Sequence, residues 1–314
     1  MNWTEQESNL AKKLKWQRYS YKQIRKELKL IGSNKSKEAI RKFLKRTENK
    51  SIKNSKSFPK ILIFDIETLP IQSYVWGLFK QNIPIEMIIK DWCALSWSAK
   101  WLFDSKMYSD ILTPYEAPQR SDKRILKGIW DLLEECDICV AHNGTHFDVK
   151  KLKARFFCNK MKPTTPFAVI DTLEQSRKTF GFTSHKLNWI TQIISRKEKL
   201  HTDFELWRQC DQGNRKALKR MLEYNNYDVT LLEEVFLEML PWFTSVPNIG
   251  VYLESKEPVC GHCGSTSLNW RGSYITPAGK YKSFRCNDCG GIGRSRFSSL
   301  DKETRKALVV NTAK

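Results

Sequence analysis

Three short stretches place carboxylates where a folded chain rarely tolerates them. The first is FDIET, in which Asp65 and Glu67 follow the apolar run from Ile61 to Phe64. Residues i and i+2 of a strand point to one face, so the two acids stand side by side. Desolvated carboxylates repel each other, and each costs several kcal/mol to bury unless a positive charge intervenes. A divalent cation is the simplest compensation; a polar strand end that meets water is the ordinary alternative. The second stretch, AHNGTHFD, sets Asn143, Phe147 and Asp148 just beyond another apolar segment. The third, YNNYD, spaces Tyr224 and Asp228 four apart, hence on one helical face. A fourth pattern is built from sulfur. Cys260-x-x-Cys263 and Cys286-x-x-Cys289 supply four thiolates, the donor set of a closed tetrahedral zinc site. Gly264 and Gly290 follow each second cysteine, where a tight turn requires positive φ. A redox pair of C-x-x-C motifs is the alternative, and the symmetric spacing disfavours it.

Positioning these groups requires strands that end beside helix starts. ILIFDIE and DICVAHN read as strands, FDVKKLKARF as a helix start and RKALKRMLEYNNYDVTLLEEVFLEML as a long helix. Such alternation over residues 59–245 indicates an α/β domain. Upstream, T-E-Q-E from Thr4, S-Y-K-Q from Ser20 and Ser36 each start a short helix. Leu10, Leu14, Ile24, Leu28, Ile40, Phe43 and Leu44 turn inward, and Trp3 closes the core. Arg41 and Lys45 are left for the outer surface of the third helix, as in helix-turn-helix or Myb-like modules that read a DNA groove. A basic bundle that docks a protein is the alternative. The expected division is a basic helical module (1–48), a linker (49–58), the α/β domain (59–245), a second linker (246–258), a small β zinc ribbon (259–298) and a tail (299–314). Trp92, Trp97 and Trp101 are expected in the core, as are Cys136 and Cys139.

F-D-I-E-T, then H-N-x-x-x-F-D, then Y-x-x-x-D, in that order, resembles the three motifs of DnaQ-like (DEDD) 3′–5′ exonucleases. The tyrosine-bearing branch, which includes the proofreading domains of family B DNA polymerases, is the better match, because Glu223 stands where the histidine branch carries its histidine. SHKLNWITQII sits where that family carries a K-L segment. The resemblance implies an RNase H-like mixed sheet with flanking helices, and two-metal hydrolysis of phosphodiesters with Mg²⁺ or Mn²⁺. It implies that Asp65, Glu67 and Asp228 hold the metal that activates a water. Asp65 and Asp148 help place the second, and Tyr224 orients the attacking water. Asn143 and Phe147 then lie near the terminal nucleotide, with His142 and His146 structural or substrate-adjacent.

Charge placement agrees with a polyanionic partner. Residues 1–58 hold 17 Lys/Arg against 5 Asp/Glu, residues 59–255 hold 26 against 25, and residues 256–314 hold 11 against 4, within a net charge of +20. Basic ends around a near-neutral block suit phosphate neutralisation. Arg271, Lys280, Lys282, Arg285, Arg294 and Arg296 surround the cysteine knuckles. No stretch approaches the ~18 apolar residues of a membrane span. The scattered remaining cysteines fit a reducing cytosol, bacterial or that of a phage-infected host. The expectation is a DNA exonuclease acting on single-stranded or fraying ends, with any polymerase partner a separate chain. An RNA exonuclease and a nucleic-acid-binding regulator with an inactive nuclease domain are the rivals.

Overall fold

The computed structural model describes residues 3–4, 7, 10–11, 14, 21–44, 58–195 and 202–310. The chain divides into two compact units, one holding Lys60–Met239 and Phe243–Ser245, the other the flanking segments. Each is described by itself.

The N-terminal segment is helical. Thr4 and Glu7 exchange side-chain bonds with each other's backbone N–H at 2.9 and 3.1 Å, the reciprocal capping its sequence spells. α1 spans Tyr21–Leu30 and α2 residues 37–44, the latter capped by Ser36, whose Oγ accepts from Ala39 N at 3.1 Å. Ala11, Leu14, Ile24, Leu28, Ile40 and Leu44 are buried together. The Trp3 ring stacks on Phe43 at 3.9 Å between centroids and closes that cluster. Ser20, Lys45 and most of the expected linker lie outside the described residues.

The larger unit is built on a five-stranded mixed sheet, in the order β5-β4-β1-β6-β7. Its strands are β1 (Ile61–Leu69), β4 (Cys93–Trp101), β5 (Tyr108–Ile111), β6 (Ile138–Ala141) and β7 (Ala168–Asp171); β2 (Gln72–Ser73) and β3 (Ile88–Lys90) form a separate ribbon. β4 runs antiparallel to β1 and β5, while β1, β6 and β7 run parallel. β1 is apolar from Ile61 to Phe64 because it is the central strand, covered on both faces. The longer helices are α3 (Lys123–Glu134), α4 (Asp148–Cys158), α5 (Thr172–Thr179), α6 (Leu187–Ser195), α7 (Phe204–Asp211) and α8 (Arg215–Met239), with a single helical turn at Glu116–Gln119. This mixed sheet with flanking helices is an RNase H-like fold, as expected from the sequence.

The two faces of β1 and β4 differ in chemistry. Phe64 lies opposite Ala99 and Ile66 opposite Trp97, and this apolar face packs on α3. Trp97 Nε1 donates to the Ile125 carbonyl at 2.6 Å. The indole lies so close to α3 that a Cβ on Gly128 would sit 2.6 Å from Trp97 Cζ2; glycine is required there by space. The other face carries Ile63 opposite Lys100, Asp65 opposite Ser98 and Glu67 opposite Ser96, and α8 lies over it. Lys100, Ser98 and Ser96 are buried polar groups, and each has a partner on α8: Glu233 for Lys100, Asn225 for both serines. Trp97, Cys136 and Cys139 are core residues, as expected; Trp92 is half-buried beneath the Lys151 ammonium, 3.6 Å from the ring centroid.

The C-terminal segment adds α9 (Ile249–Leu253), the antiparallel strands β8 (Leu268–Thr276), β9 (Gly279–Cys286) and β10 (Ile292–Ser298), and α10 (Lys302–Ala307). Two stretches read as linker and tail therefore hold helices, each with a local cause. Asn248 caps α9 through a bond from Gly250 N at 2.9 Å, and Ile249 N donates to Gly261 O at 2.8 Å. Asp301 caps α10 through Thr304 N at 2.7 Å. Among the described residues, no helix is long and apolar enough to cross a membrane.

Candidate active site

The polar face of β1 meets α8 at a cluster of acids. Ligand-capable oxygens of Asp65, Glu67 and Asp228 lie within 4.8 Å of one another. Strand alternation puts the first two on one face, and α8 carries the third down onto them. Asp228 is almost fully buried, while Asp65 and Glu67 are half-buried. Three carboxylates gathered at this spacing in a partly desolvated place form a hard oxygen donor set. They fit a Mg²⁺- or Mn²⁺-type cation, which takes such oxygens and offsets their repulsion.

Asp148 is placed differently. Its carboxylate is outside that trio and accepts from Ile66 N at 3.2 Å. β6 pairs with β1 only as far as Ile63. Beyond that point the Ile66 N–H has no strand partner, and the first residue of α4 takes it. Asp148 is 2% exposed. Burial pushes its carboxyl up to about 7; the Ile66 and Asp148 N–H groups oppose that shift, and the Asp171 charge adds to it. α4 is held by a fork at its other end. Arg155 donates to both Asp122 oxygens, at 2.6 and 2.9 Å, and Asp122 also accepts from Ala94 N of β4 at 3.0 Å. Side-chain geometry of this kind fixes the helix on the sheet and with it the reach of Asp148.

The raised Asp148 value has a consequence with a definite sign. Between an ordinary 3.8 and about 7 the folded state keeps a proton that the unfolded chain has lost. Stability without divalent cations therefore falls as pH rises through that window, and stays low above it. Asp148→Asn keeps the acceptor for Ile66 N–H and removes the charge. In magnesium-free buffer near pH 8 it raises the urea midpoint by the equivalent of about 2–4 kcal/mol, and near pH 4 it changes little. An unaltered difference between the two pH values would show that Asp148 titrates normally.

Tyr224 is buried one turn before Asp228, its ring edge-on to Trp207 of α7 with centroids 6.2 Å apart. Phe147 precedes α4 and lies 5.7 Å from the Lys151 ammonium. Asn143 takes positive φ, 77°, and its N–H donates to Asp171 Oδ1 at 3.0 Å. His142 is a strut: Nε2 donates to the His185 carbonyl and Nδ1 faces Thr172 Oγ1, each at 2.9 Å. His146 is exposed and pairs with Glu174 at 2.9 Å. Arg41 is exposed on α2, 3.6 Å from Glu38; Lys45 lies outside the described residues.

Two residues that pattern reading passed over help organise the site. Asn225 is fully buried, and its Nδ2 donates to Asp65 Oδ2 at 2.7 Å. Its Oδ1 accepts from Ser96 and Ser98 at 3.2 and 3.0 Å, so the amide cannot turn over. The signal was the alternation Ser96-x-Ser98-x-Lys100 inside an otherwise apolar strand. Asp171 accepts from the N–H groups of Asn143, Thr145, Leu173 and Glu174, which caps α5 and pins the loop ahead of Asp148. Its cue was the acid at the end of the apolar run AVID.

The four cysteines of the C-terminal segment also converge, with all sulfurs within 4.8 Å of one another. Cys260 and Cys289 Sγ are 3.6 Å apart, as are Cys263 and Cys286. These are too long for disulfides. A tetrahedron with ~2.3 Å Zn–S bonds has edges of about 3.8 Å, so the set fits zinc. Gly264 and Gly290 have φ of 73° and 79°, and their N–H groups donate to Cys260 O and Cys286 O at 2.8 and 3.0 Å. The two knuckles are thus the same turn used twice.

Residues 101–240 match the RNase_H_2 family model of the RNase_H superfamily. The matched segment contains Asp148, Tyr224 and Asp228, while Asp65 and Glu67 precede it. Sheet topology and match agree on an RNase H-like fold for this part of the chain. Among solved structures, the chain is similar to the family B DNA polymerase from the hyperthermophilic archaeon Pyrobaculum calidifontis, at 16% identity and a TM-score of 0.42. That similarity covers 72% of this chain and 32% of the polymerase chain, so this protein spans about a third of it. A comparison with curated proteins finds no match.

Proposed function

We propose that this protein is a metal-dependent 3′–5′ exonuclease that hydrolyses phosphodiester bonds of DNA at single-stranded or fraying ends and releases 5′-mononucleotides. The observation that carries the reading is the meeting of Asp65, Glu67 and Asp228 oxygens within 4.8 Å beneath α8. Two hard cations bound at such a site lower the pKa of water and neutralise charge on the leaving oxygen. The side chains of this chain supply what those cations need. Asp65, Glu67 and Asp228 offer the donor oxygens, with Asp65 shared and held in orientation by Asn225. Asp148, whose carboxyl burial raises to about 7, would be the residue to reach a second cation. Tyr224 offers its phenol to orient the water. No strong side-chain base is required. The basic helical module, through Arg41 and Lys45, and the zinc ribbon add contacts to the phosphates of the substrate.

A time course on 5′-labelled single-stranded DNA, duplex DNA and RNA, with Mg²⁺ and with chelator, tests the reading. The expected result is a ladder shortening from the 3′ end of single-stranded DNA, in Mg²⁺ only. Products cut internally, or degradation that persists in chelator, would refute it; faster decay of RNA would move the substrate class.

A further inference from the structure

The strand that carries Asp65 and Glu67 runs straight into the most exposed apolar segment of its unit. Beyond Pro70, Tyr74 is 75% exposed, Trp76 92%, Leu78 88%, Phe79 85% and Ile85 84%. Patches of this kind on a folded domain mark contact surfaces. The segment is a built arm. β2 and β3 pair at its base, Gln72 opposite Lys90, and Tyr74 N donates to Met87 O at 3.1 Å. At the tip, Lys80 takes positive φ and the Gln81 amide donates to Phe79 O at 3.0 Å.

Its root is tied to the acidic site through two buried groups. Arg120 donates to Pro70 O at 2.7 Å and Asp91 O at 3.0 Å, clasping both ends of the arm. Arg120 also pairs with Asp211 at 2.8 Å, and Asp211 accepts from the Gln72 amide. The same helix, α7, packs against β1, the strand that carries Asp65 and Glu67. It therefore touches the arm's root through Asp211 and the acidic strand as well.

The arm's composition decides between occupants. Tyr74, Trp76 and Phe79 are planar rings, and from Pro70 to Met87 Lys80 is the single cation and Glu86, near the base, the single acid. Rings without a row of cations suit bases better than phosphates, and aromatic–base stacking tolerates any sequence. We infer that the 70–87 arm is a stacking platform for the unpaired bases of the single strand whose end lies among Asp65, Glu67 and Asp228. This deepens the nuclease reading and rests on it for the identity of the strand. The arm receives bases upstream of the scissile bond, so the strand is gripped by its bases close to the site and by its phosphates elsewhere on the chain.

The test is binding of the full-length protein, in magnesium-free buffer, to a short oligothymidylate and to the same strand with its last few nucleotides abasic. Wild type is expected to bind the ordinary strand about ten- to a hundredfold more tightly. Trp76→Ala/Phe79→Ala brings the two strands to within about twofold of each other, whereas Trp76→Phe, which keeps a ring, retains most of the difference. The residues are exposed, so the variants fold. A wild type indifferent to the bases, or a double variant that still discriminates, overturns the inference. So does self-association that the double variant abolishes while base discrimination persists, which would assign the arm to a second copy. Hydrolysis in Mg²⁺ is scored separately on the same strands. Base-dependent binding without hydrolysis would leave the arm's role standing and sink the nuclease reading; hydrolysis without base-dependent binding would do the reverse.

Discussion

Asp65→Ala and Asp228→Ala each remove Mg²⁺-dependent release of mononucleotides, by a factor of about 10³ or more, which corresponds to some 4 kcal/mol of activation free energy. Both residues lie in the trio whose oxygens meet within 4.8 Å. Deleting either removes a donor oxygen, so Mg²⁺ binds more weakly and off its productive position, and a small misplacement of the reacting groups is costly. Asp228 is buried and Asp65 accepts from the buried Asn225, so each truncation removes a buried contact. Relief of repulsion among the crowded acids offsets that loss, and the metal-free protein keeps its fold. Asn225→Ala gives an intermediate loss. It frees the Asp65 carboxylate from a 2.7 Å bond and strands the buried Ser96 hydroxyl, Ser98 keeping Asn226, so Mg²⁺ affinity falls about 10–100-fold. The graded order is the informative part. If Asp65→Ala, Asp228→Ala and wild type release nucleotides at one rate, the acidic trio is ornamental and the chemistry lies elsewhere. If Asn225→Ala loses activity that excess Mg²⁺ does not restore, then the amide acts on something other than ion binding.

What was legible in the chain follows from periodicity and its limits. Asp65 and Glu67 are legible because alternation puts both acids on one face of an apolar strand, and the two later motifs decide against a mere strand end that meets water. Tyr224 and Asp228 declare themselves through helical spacing, and the sulfur quartet through paired turns. Trp3 was legible as the lid of a small helical core because a large ring just ahead of the first helix start lies at the end of that core. Asn225 was not legible, since an amide between an asparagine and a tyrosine has no spacing of its own. Its role depends on the β1–β4 register that sets Ser98 opposite Asp65, and register is a tertiary fact. Asp148 was legible as an acid near a helix start, but its distance from the trio was not. That depends on where β6 stops pairing with β1, which no local pattern encodes. The exposed arm after Pro70 was hidden for the opposite reason. An apolar run reads as core, and only the fold shows that Trp76 and Phe79 face outward.

Removing metal from the C-terminal sheet is expected to unfold it while the larger sheet remains intact. The buried cluster of that segment consists of Phe284 with Cys260, Cys286 and Cys289, and Cys263 and Leu268 pack against it. Its core is therefore largely its ligand set. β8 has no fully buried residue, and β10 has none. A three-stranded sheet this exposed cannot offset the chain entropy of ordering it by apolar burial alone. Structural zinc in comparable knuckles contributes about 10–16 kcal/mol of apparent binding free energy, and that energy is folding energy. The native protein should thus carry about one zinc per chain. After chelation, or in Cys263→Ser, amides of β8–β10 exchange at the rates of an unfolded chain, while β1, β4 and β6, which have their own core, keep their protection. Affinity for single-stranded nucleic acid falls with the loss of the surface bearing Arg271, Lys282 and Arg294, and its salt dependence becomes shallower as phosphate contacts disappear. Elemental analysis that finds no zinc, or exchange in β8–β10 that chelation leaves unchanged, would mean that four thiols this close are held by packing alone, which neither Phe284 nor Leu268 is large enough to supply.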